Sequence, residues 1–264
     1  MAFSFNVPME DGSVYTVRRL LAAGQSNTKT AKSDAASADY LTYSLSLAPH
    51  KASGFNLCAS ASAGCIKACI FTSGYARVHP RSILPARIAK TRMLRMEPKA
   101  FMDRLCVEIH YAQRKARKLG KRLALRPNVF SDVLWEKEFP SLFAMFPEVQ
   151  FYDYTKHVRR YLRFLAGQLP ANYHLTFSRS ENNHAASLDF LRAGGTVAVP
   201  FHVKYSAKRY DPLPASYASY PVYDGDKSDL RFLDPKGHVI GLRVKGQGKG
   251  DTQSGFVVTP KVVA

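Results

Sequence analysis

The stretch VQFYDYTKHVRRYLRFLAGQLPANYHLTFS, from Val149 to Ser178, contains the pattern that decides the fold. Residues 149–154 are mostly apolar or aromatic and predict a strand. Residues 158–167 are amphipathic and end at a glycine, which predicts a helix. Residues 173–178 predict a second strand. A strand, a helix and a strand in this order are typical of two parallel strands joined by a helical crossover.

The same alternation extends over most of the 264-residue chain. The pattern predicts an α/β protein with about six mainly parallel strands and an irregular C-terminal segment. We expect an N-terminal lead-in segment over residues 1–40, with a loop at residues 24–39, and a single (β/α) barrel-like domain over residues 41–264. Further strands are predicted at residues 41–47, 122–126, 196–201, 220–223 and 239–244, and further helices at residues 81–96, 98–119, 139–146 and 183–193.

Polar side chains gather at or directly after the ends of the predicted strands. Five of them are candidate pocket residues, namely Asn128, Asp132, Asp153, Lys156 and Glu181. A (β/α) barrel builds its site from loops at the carboxyl ends of all its strands, whereas a doubly wound sheet uses one switch point. The distribution therefore favours a partial (β/α) barrel. The four charged residues are candidate catalytic residues, and Asn128 is a candidate cofactor-binding residue. A structural ion pair is the alternative for Asp153 and Lys156.

The chain carries a strong positive charge. It has 38 Lys and Arg against 20 Asp and Glu, a formal net charge of +18 and a pI near 9.9. Sixteen Lys or Arg but only three acidic residues lie between Lys67 and Arg126. Because such an excess is typical of proteins with phosphate-rich partners, we expect the segment from Arg77 to Arg126 to contact DNA or RNA. A solvated basic helix face that aids solubility is the alternative.

The composition excludes several classes of protein. Apolar residues make up 46% and charged residues 22% of the chain, which is typical of globular proteins and not of disordered or collagen-like ones. Since no run of about 18 apolar residues occurs, we expect no membrane span and no membrane partner. Residues 1–11 lack the basic start and apolar core of a secretory signal, so we expect a reducing compartment.

Three of the four cysteines lie in one loop after the strand predicted at residues 41–47, with the spacing Cys58-x6-Cys65-x3-Cys69. In a reducing compartment such a cluster favours metal ligation over disulfides. Three thiolates can hold three irons of a [4Fe–4S] cluster. The fourth iron would then be open to a substrate or to S-adenosylmethionine.

Two alternatives to an iron–sulfur cluster stay open for this loop. A zinc site usually has four ligands, with two to four residues between paired cysteines, and His50, His79 or Cys106 could complete one. The cysteines could also be buried small apolar residues without a metal. Core packing is the expected role of Cys106 itself, because it lies beside the apolar face of its predicted helix.

Several motifs of the chain resemble a bacteriophage family. They are Ser44-Leu-Ser-Leu-Ala-Pro49, the three-cysteine loop, Ala86-Arg-Ile-Ala-Lys-Thr91, Ser131-Asp132 before Trp135-Glu136, Phe151-Tyr-Asp-Tyr-Thr-Lys156, Asn172-Tyr with Thr176-Phe-Ser178, and Asp224-Gly-Asp226. Over residues 41–256 the chain resembles the gene product 88-like group of bacteriophage proteins. The resemblance implies a viral origin and expression in the host bacterial cytoplasm.

A second resemblance, in architecture, is to the radical S-adenosylmethionine enzymes. These enzymes are partial (β/α) barrels with a three-cysteine loop after the first strand. The resemblance implies a [4Fe–4S] cluster and S-adenosylmethionine as cofactors. The chain departs from the usual Cys-x3-Cys-x2-Cys spacing, and it has Arg126-Pro-Asn-Val129 where those enzymes have Gly-Gly-Glu after the second strand.

Together these features predict a phage-encoded iron–sulfur protein, specifically a radical S-adenosylmethionine-like enzyme that acts on nucleic acid or on a nucleotide. Cys58, Cys65 and Cys69 would hold the cluster, and the five strand-end residues would line the pocket. The alternative is a non-catalytic DNA- or RNA-binding protein with a structural metal site. A third possibility is a virion protein whose positive charge neutralises packaged DNA.

Overall fold

The computed structural model describes residues 3–24, 37, 39–206 and 209–260. Its strands are β1 (Phe5–Pro8), β2 (Val14–Val17), β3 (Leu21–Ala23), β4 (Tyr40–Leu45), β5 (Arg122–Arg126), β6 (Gln150–Thr155), β7 (Tyr173–Ser178), β8 (Val197–Phe201), β9 (Tyr205–Ser206), β10 (Arg209–Tyr210), β11 (Ser216–Tyr217), β12 (Tyr220–Asp224) and β13 (Val239–Arg243). Its helices are α1 (Ala63–Lys67), α2 (Tyr75–Val78), α3 (Pro80–Met96), α4 (Pro98–Lys118), α5 (Trp135–Glu138), α6 (Ser141–Met145), α7 (Val158–Leu165) and α8 (His184–Arg192). Short 3-10 helices lie at Ile70–Thr72, Arg231–Leu233 and Gly246–Gly250.

Nine of the described strands form one sheet in the order β11-β12-β13-β8-β7-β6-β5-β4-β3. The seven strands from β12 to β4 in this order are parallel to their neighbours, and β11 and β3 pair antiparallel at the two edges. The predicted α/β class with a mainly parallel sheet is therefore confirmed. No pairing among the described strands joins β11 to β3, so the partial barrel stays a prediction.

The order of the strands follows the sequence except near the C-terminus. Each connection from β4 to β8 carries at least one helix, as the strand–helix alternation predicts. After β8 the order is reversed, because β13 pairs with β8 and β12 lies outside β13. All seven parallel strands consequently bring their carboxyl ends to the same edge of the sheet.

The two faces of the sheet differ in polarity. Strand residues such as Phe151, Leu175 and Val199 belong to the main apolar cluster. That cluster also contains the helix residues Met93, Phe101, Leu105, Ile109, Tyr161 and Phe190. Because neighbouring residues of a strand face opposite sides, Tyr152 lies on the other face, where Phe232 packs edge-on against it. The 3-10 helix at Arg231–Leu233 thus helps to cover that second face.

The N-terminal residues pack on the same core as the rest of the chain. Strands β1 and β2 form a hairpin, and β3 pairs antiparallel with β4. The backbone N–H groups of Leu20 and Leu21 donate to the buried carboxylate of Glu108, and Lys90 Nζ donates to the carbonyl of Leu20. The predicted loop at residues 24–39 lies largely outside the described residues.

The two longest helices, α3 and α4, form the largest helical layer on the sheet. Helix α4 buries Phe101, Leu105 and Ile109 in the main cluster. It ends just before Gly120, whose φ of 65° suits glycine and ends the helix. No helix within the described ranges is long and apolar enough to cross a membrane.

Candidate functional site

A pocket of about 230 Å³ opens at the carboxyl ends of the parallel strands. Its wall includes Arg126 from β5, Tyr154 from β6, Ser178 from β7 and Arg243 from β13. The loop after β4, which carries the clustered cysteines, forms another part of the wall. The pocket lies at the edge where parallel α/β proteins commonly build their functional sites.

All three clustered cysteines line this pocket. Cys65 lies in the short helix α1, whose N-cap Ser62 accepts a hydrogen bond from the backbone N–H of Cys65 at 3.2 Å. The backbone N–H of Cys58 donates to Asn56 Oδ1 at 3.0 Å, and the Cys58 thiol donates to the carbonyl of Phe130 at 3.5 Å. These local contacts hold the loop in the conformation that brings the cysteines to one cavity.

Burial controls the acid–base state of two of these thiols. It raises the pKa of Cys58 to about 12. Burial also raises the pKa of Cys69, and the positive charges of Lys156 and Arg87 offset this effect only in part. Both thiols are therefore protonated at neutral pH, and a metal could bind them only by displacing the proton, because the thiolate is the form that binds metals.

The cysteines are not already gathered into a metal site. No three Cys, His, Asp or Glu side chains within the described ranges are placed to hold one metal ion, and the four cysteines are free thiols. Zinc ligation completed by His50, His79 or Cys106 consequently has no preformed ligand set. Cys106 lies on α4 and packs against the main apolar cluster, in agreement with its expected packing role.

Glu181 fastens the cysteine loop. Its carboxylate accepts hydrogen bonds from Ser62 Oγ at 2.6 Å and from the backbone N–H of Gly64 at 2.7 Å. Gly64 also packs closely against the C-terminal segment, since a Cβ atom on Gly64 would lie 2.7 Å from Phe256 Cβ. Glu181 is not among the described residues that line the pocket. The geometry makes it a positioning residue rather than the pocket acid expected from its place after a strand.

Asp153 and Asn128 form the centre of a buried hydrogen-bond network. Asp153 accepts from the backbone N–H of Asn128 at 2.8 Å, from Asn128 Nδ2 at 3.0 Å and from Tyr173 OH at 2.7 Å. Asn128 Oδ1 accepts from Ser131 Oγ and from Trp135 Nε1. Burial raises the pKa of Asp153 to about 7. Asn128 reaches the pocket lining, whereas the fully buried Asp153 does not, so Asp153 supports the loop after β5 from behind.

Asp132 and Lys156 are the two candidate catalytic residues that line the pocket. The Asp132 carboxylate accepts from Thr155 Oγ1 at 2.9 Å, from the backbone N–H of Lys156 at 2.9 Å and from Arg160 Nη1 at 2.8 Å. The Lys156 ammonium donates to Ser178 Oγ at 2.6 Å. The carboxylate is thus held firmly by its neighbours, whereas the ammonium has a hydroxyl group as its partner.

Comparison with known protein families identifies the chain. A family model described as gene product 88 matches residues 19–260. The chain belongs to the gene product 88 family. The match covers all nine strands of the sheet and the loops of the pocket, and it confirms the family expected from the motifs. It gives no support to the resemblance to radical S-adenosylmethionine enzymes. No curated protein and no solved structure gives a significant match to this chain.

Several residues that line the pocket of this gene product 88 family member were not among the sequence candidates, and they include Arg126, Ser178, Arg243, Lys245 and Phe256. The first three are the last residues of their strands, so their strand-end position was a usable signal. Phe256 comes from the irregular C-terminal segment. Nothing in the local sequence marks such a residue, because its role depends on the C-terminal segment folding back against the pocket.

The cations in the basic segment of this gene product 88 family member lie in different environments, and Arg77 and Arg81 at its start are exposed. Within its body, cations pair with protein groups: Lys90 with the carbonyl of Leu20, Arg95 with Glu138, Arg104 with Glu108, and Arg126 with Asp229. At the C-terminal end of α4, the side chains of Arg114, Lys115 and Lys118 are exposed. We call these three residues the α4 cationic patch. The surface open to an anionic partner is therefore smaller than the charge of the segment implies.

Proposed function

We propose that this protein is an iron–sulfur enzyme that acts on a nucleic acid or a nucleotide in the pocket at the carboxyl edge of the sheet. One observation carries the proposal: Cys58, Cys65 and Cys69, all from a single short loop, line the same pocket. Asp132 and Lys156 line that pocket as well, so thiol donors and polar groups face one cavity.

The chemistry of the donor set fits a cluster. Three thiolates can bind three irons of a [4Fe–4S] cluster, which when bound would supply electron transfer at the pocket and an iron open to a ligand. Gathering thiolates at a buried site requires compensating positive charge. Lys156 and Arg87 supply it, because both act on Cys69 in the direction that favours its thiolate. The loop would close around the cluster as it assembles, since no three ligand side chains of the described residues converge on one point beforehand.

The protein's own polar groups have separate tasks in this proposal. Asp132 is tied to Arg160 and to the backbone of Lys156, so it orients the start of the loop after β6. The Lys156 ammonium uses one N–H bond in its contact with Ser178 Oγ. Its other N–H bonds could bind or protonate a substrate oxygen. Glu181 keeps the cysteine loop in position through Ser62 and Gly64.

We also propose that the sheet curves into a partial (β/α) barrel with its polar face inward. Ser44, Tyr152 and Thr176 carry buried hydroxyl groups that have no hydrogen-bond partner among the described residues. They come from β4, β6 and β7, and the segment around Arg231–Leu233 packs near the same face. A polar inner face below a pocket is typical of a barrel that binds a polar ligand or ordered water.

Binding of S-adenosylmethionine to an open iron is the most specific form of the proposal. Its support is the position of the cysteine loop after a parallel strand. Nucleic acid would be attracted to the protein by the α4 cationic patch, which precedes β5 and therefore lies at the amino ends of the strands, away from the pocket. Expression in the cytoplasm of an infected bacterium, which the phage family implies, would keep the thiols reduced.

The proposal is tested by purifying the protein without oxygen and measuring iron, sulfide, zinc and the visible spectrum. We expect a brown protein with about four irons per chain. Cys58→Ser, Cys65→Ser and Cys69→Ser should each lower the iron content, whereas Cys106→Ser, the matched control on α4, should retain it. A colourless protein that contains zinc or no metal would overturn the proposal. The non-catalytic nucleic-acid-binding function would then be favoured.

A further inference from the structure

The pocket has an unequal distribution of charged side chains. Among the described residues that line it, Arg126, Lys156, Arg243 and Lys245 are cationic and Asp132 is the one carboxylate. These cations come from three different strand ends, after β5, β6 and β13. Side chains from separate elements converge on one cavity, which distinguishes this arrangement from a row of charges along one exposed helix.

Most of these cations already have a carboxylate partner. Arg126 pairs with Asp229 at 2.9 Å, Arg243 pairs with Asp224 at 2.8 Å, and Lys245 pairs with Asp226. Those carboxylates do not line the pocket, so they neutralise the cations from the side that faces away from it.

Lys156 is different, because its ammonium makes no ion pair among the described residues. It donates one hydrogen bond to Ser178 Oγ at 2.6 Å and lies 5.4 Å from the centroid of the Phe256 ring. An ammonium group has three donors, so two N–H bonds are left for a ligand. Ser178 accepts from Lys156, which leaves its own hydroxyl hydrogen available to the same ligand.

The remaining wall of the pocket is apolar and partly aromatic. Phe130 and Phe256 both line it, together with Ile70, Pro200, Leu242 and Val244. Arg87 covers the Phe130 ring with its guanidinium group 4.2 Å from the ring centroid, which holds that ring in place. An apolar wall with aromatic rings beside an unpaired ammonium suits a ligand that has a flat apolar part and an anionic group.

We propose that Lys156 and Ser178 form a phosphate subsite, and that the pocket binds a mononucleotide with its phosphate at Lys156 and its base against the phenylalanine side. This inference rests on the proposed function only for the choice of a nucleotide as the ligand. Free phosphate would share the anionic contact but would not use the apolar wall, so it should bind more weakly than a nucleotide.

The test is isothermal titration of the anaerobically purified protein with AMP and GMP, and with adenosine, guanosine and inorganic phosphate. We expect the nucleotides to bind more tightly than the nucleosides and than phosphate. Lys156→Met should weaken nucleotide binding about tenfold to a hundredfold, the usual effect of removing a charge-assisted hydrogen bond. Lys137→Met is the matched control. Lys137 is exposed on α5, so this substitution removes the same charge outside the proposed subsite.

Two further measurements keep the outcomes distinct. Ser178→Ala keeps the ammonium and should weaken nucleotide binding less than Lys156→Met, and thermal unfolding reports whether each variant is folded. Iron is measured on the same samples. A protein that holds iron but binds no mononucleotide, or that binds nucleosides equally well, overturns the subsite and leaves the iron–sulfur proposal standing. Nucleotide binding that depends on Lys156 in a protein without iron supports the subsite and overturns the cluster.

Discussion

At the scale of single residues, Asp153 shows how a strand-end carboxylate can serve the fold instead of the pocket. It is fully buried, and all three of its donors come from Asn128 and Tyr173. Burial raises the pKa of Asp153 to about 7, although the charge of Arg160 and the hydrogen bond from Tyr173 act in the opposite direction. The carboxyl group therefore changes its charge near neutral pH in the folded protein.

This shift predicts a pH dependence of stability. In the unfolded chain Asp153 loses its proton near its ordinary pKa of 3.8, whereas in the folded protein it keeps the proton up to about pH 7. Because the folded state binds the extra proton between these values, its contribution to stability falls as the pH rises through this window. We expect wild-type protein to lose roughly 2 to 3 kcal/mol between pH 5 and 8 from this group. Urea unfolding at several pH values measures the loss.

Asp153→Asn is the control for this prediction. An amide keeps a similar size but does not titrate, so the variant should show a flatter dependence of unfolding free energy on pH. Its absolute stability should fall, since its NH2 group cannot accept from Asn128 Nδ2. Asp234 also has a pKa raised by burial, to about 6, and contributes to the slope of both proteins. Equal slopes in the two proteins would show that Asp153 does not titrate in this range.

At the scale of elements, the position of helix α1 depends on a glycine within it, Gly64. A Cβ atom at Gly64 would lie 2.7 Å from Phe256 Cβ, 2.7 Å from Ser254 Oγ and 2.8 Å from Glu181 Oε1. The first of these atoms is fixed to the backbone of the C-terminal segment and cannot move aside easily. Helix α1 therefore sits against that segment only because residue 64 has no side chain.

Gly64→Ala should consequently push α1 away from the pocket. We expect a loss of about 1 to 3 kcal/mol in unfolding free energy, the usual cost of overpacking. If the proposed cluster is present, the variant should also retain less iron, because Cys65 moves with the helix. Gly250→Ala is the matched control, since a Cβ atom there meets nothing within 4 Å. Iron analysis and urea unfolding measure the two effects, and equal behaviour of both variants would contradict the close contact at Gly64.

At the scale of the whole molecule, the net charge of +18 is only partly available to a partner. Many cations of the segment from Arg77 to Arg126 are used in contacts with carbonyl and carboxylate groups. The α4 cationic patch is exposed, and it lies at the C-terminal end of its helix, where positive charge is also favoured by the helix dipole.

We expect this patch to supply the salt-dependent part of nucleic-acid binding. Replacing Arg114, Lys115 and Lys118 together by Gln should weaken binding to single-stranded and double-stranded DNA and RNA. It should also lower the slope of log affinity against log salt by about 2 to 3, because each phosphate contact contributes about 0.7 to 0.9. Fluorescence anisotropy at several salt concentrations measures both quantities.

The matched control for the patch is the triple replacement of Lys51, Lys137 and Lys227 by Gln. These lysines are exposed and lie outside the basic segment, so the variant has the same net charge as the patch variant. If both variants lose affinity equally, net charge and not the α4 patch guides the polyanion. If neither loses affinity, nucleic acid binds elsewhere or not at all.

Local sequence determined most of the elements of this protein. The period of two in the strands and the amphipathic period in the helices depend on residues within one element, which is why the predictions agree closely with the longer strands and helices after residue 40. The short elements α1, α2, α5, β9, β10 and β11 were not predicted, because so few residues form no clear period. The stop at Gly120 was predictable for the same reason, since a positive φ is a property of one residue. The cysteine loop was also visible in the sequence, because its three cysteines lie within twelve positions.

Only the tertiary structure decided the rest. Strand β13 lies between β8 and β12, and β3 extends the sheet beside β4, because strand pairing depends on residues far apart in the chain. Four polar residues at strand ends looked alike in sequence, yet Asp132 and Lys156 line the pocket, Asp153 lies in the core and Glu181 holds the cysteine loop. These roles depend on the face of the sheet or loop on which each side chain lies and on the hydrogen-bond partners it meets there. Both are fixed by packing between distant segments, which no local pattern of residues records.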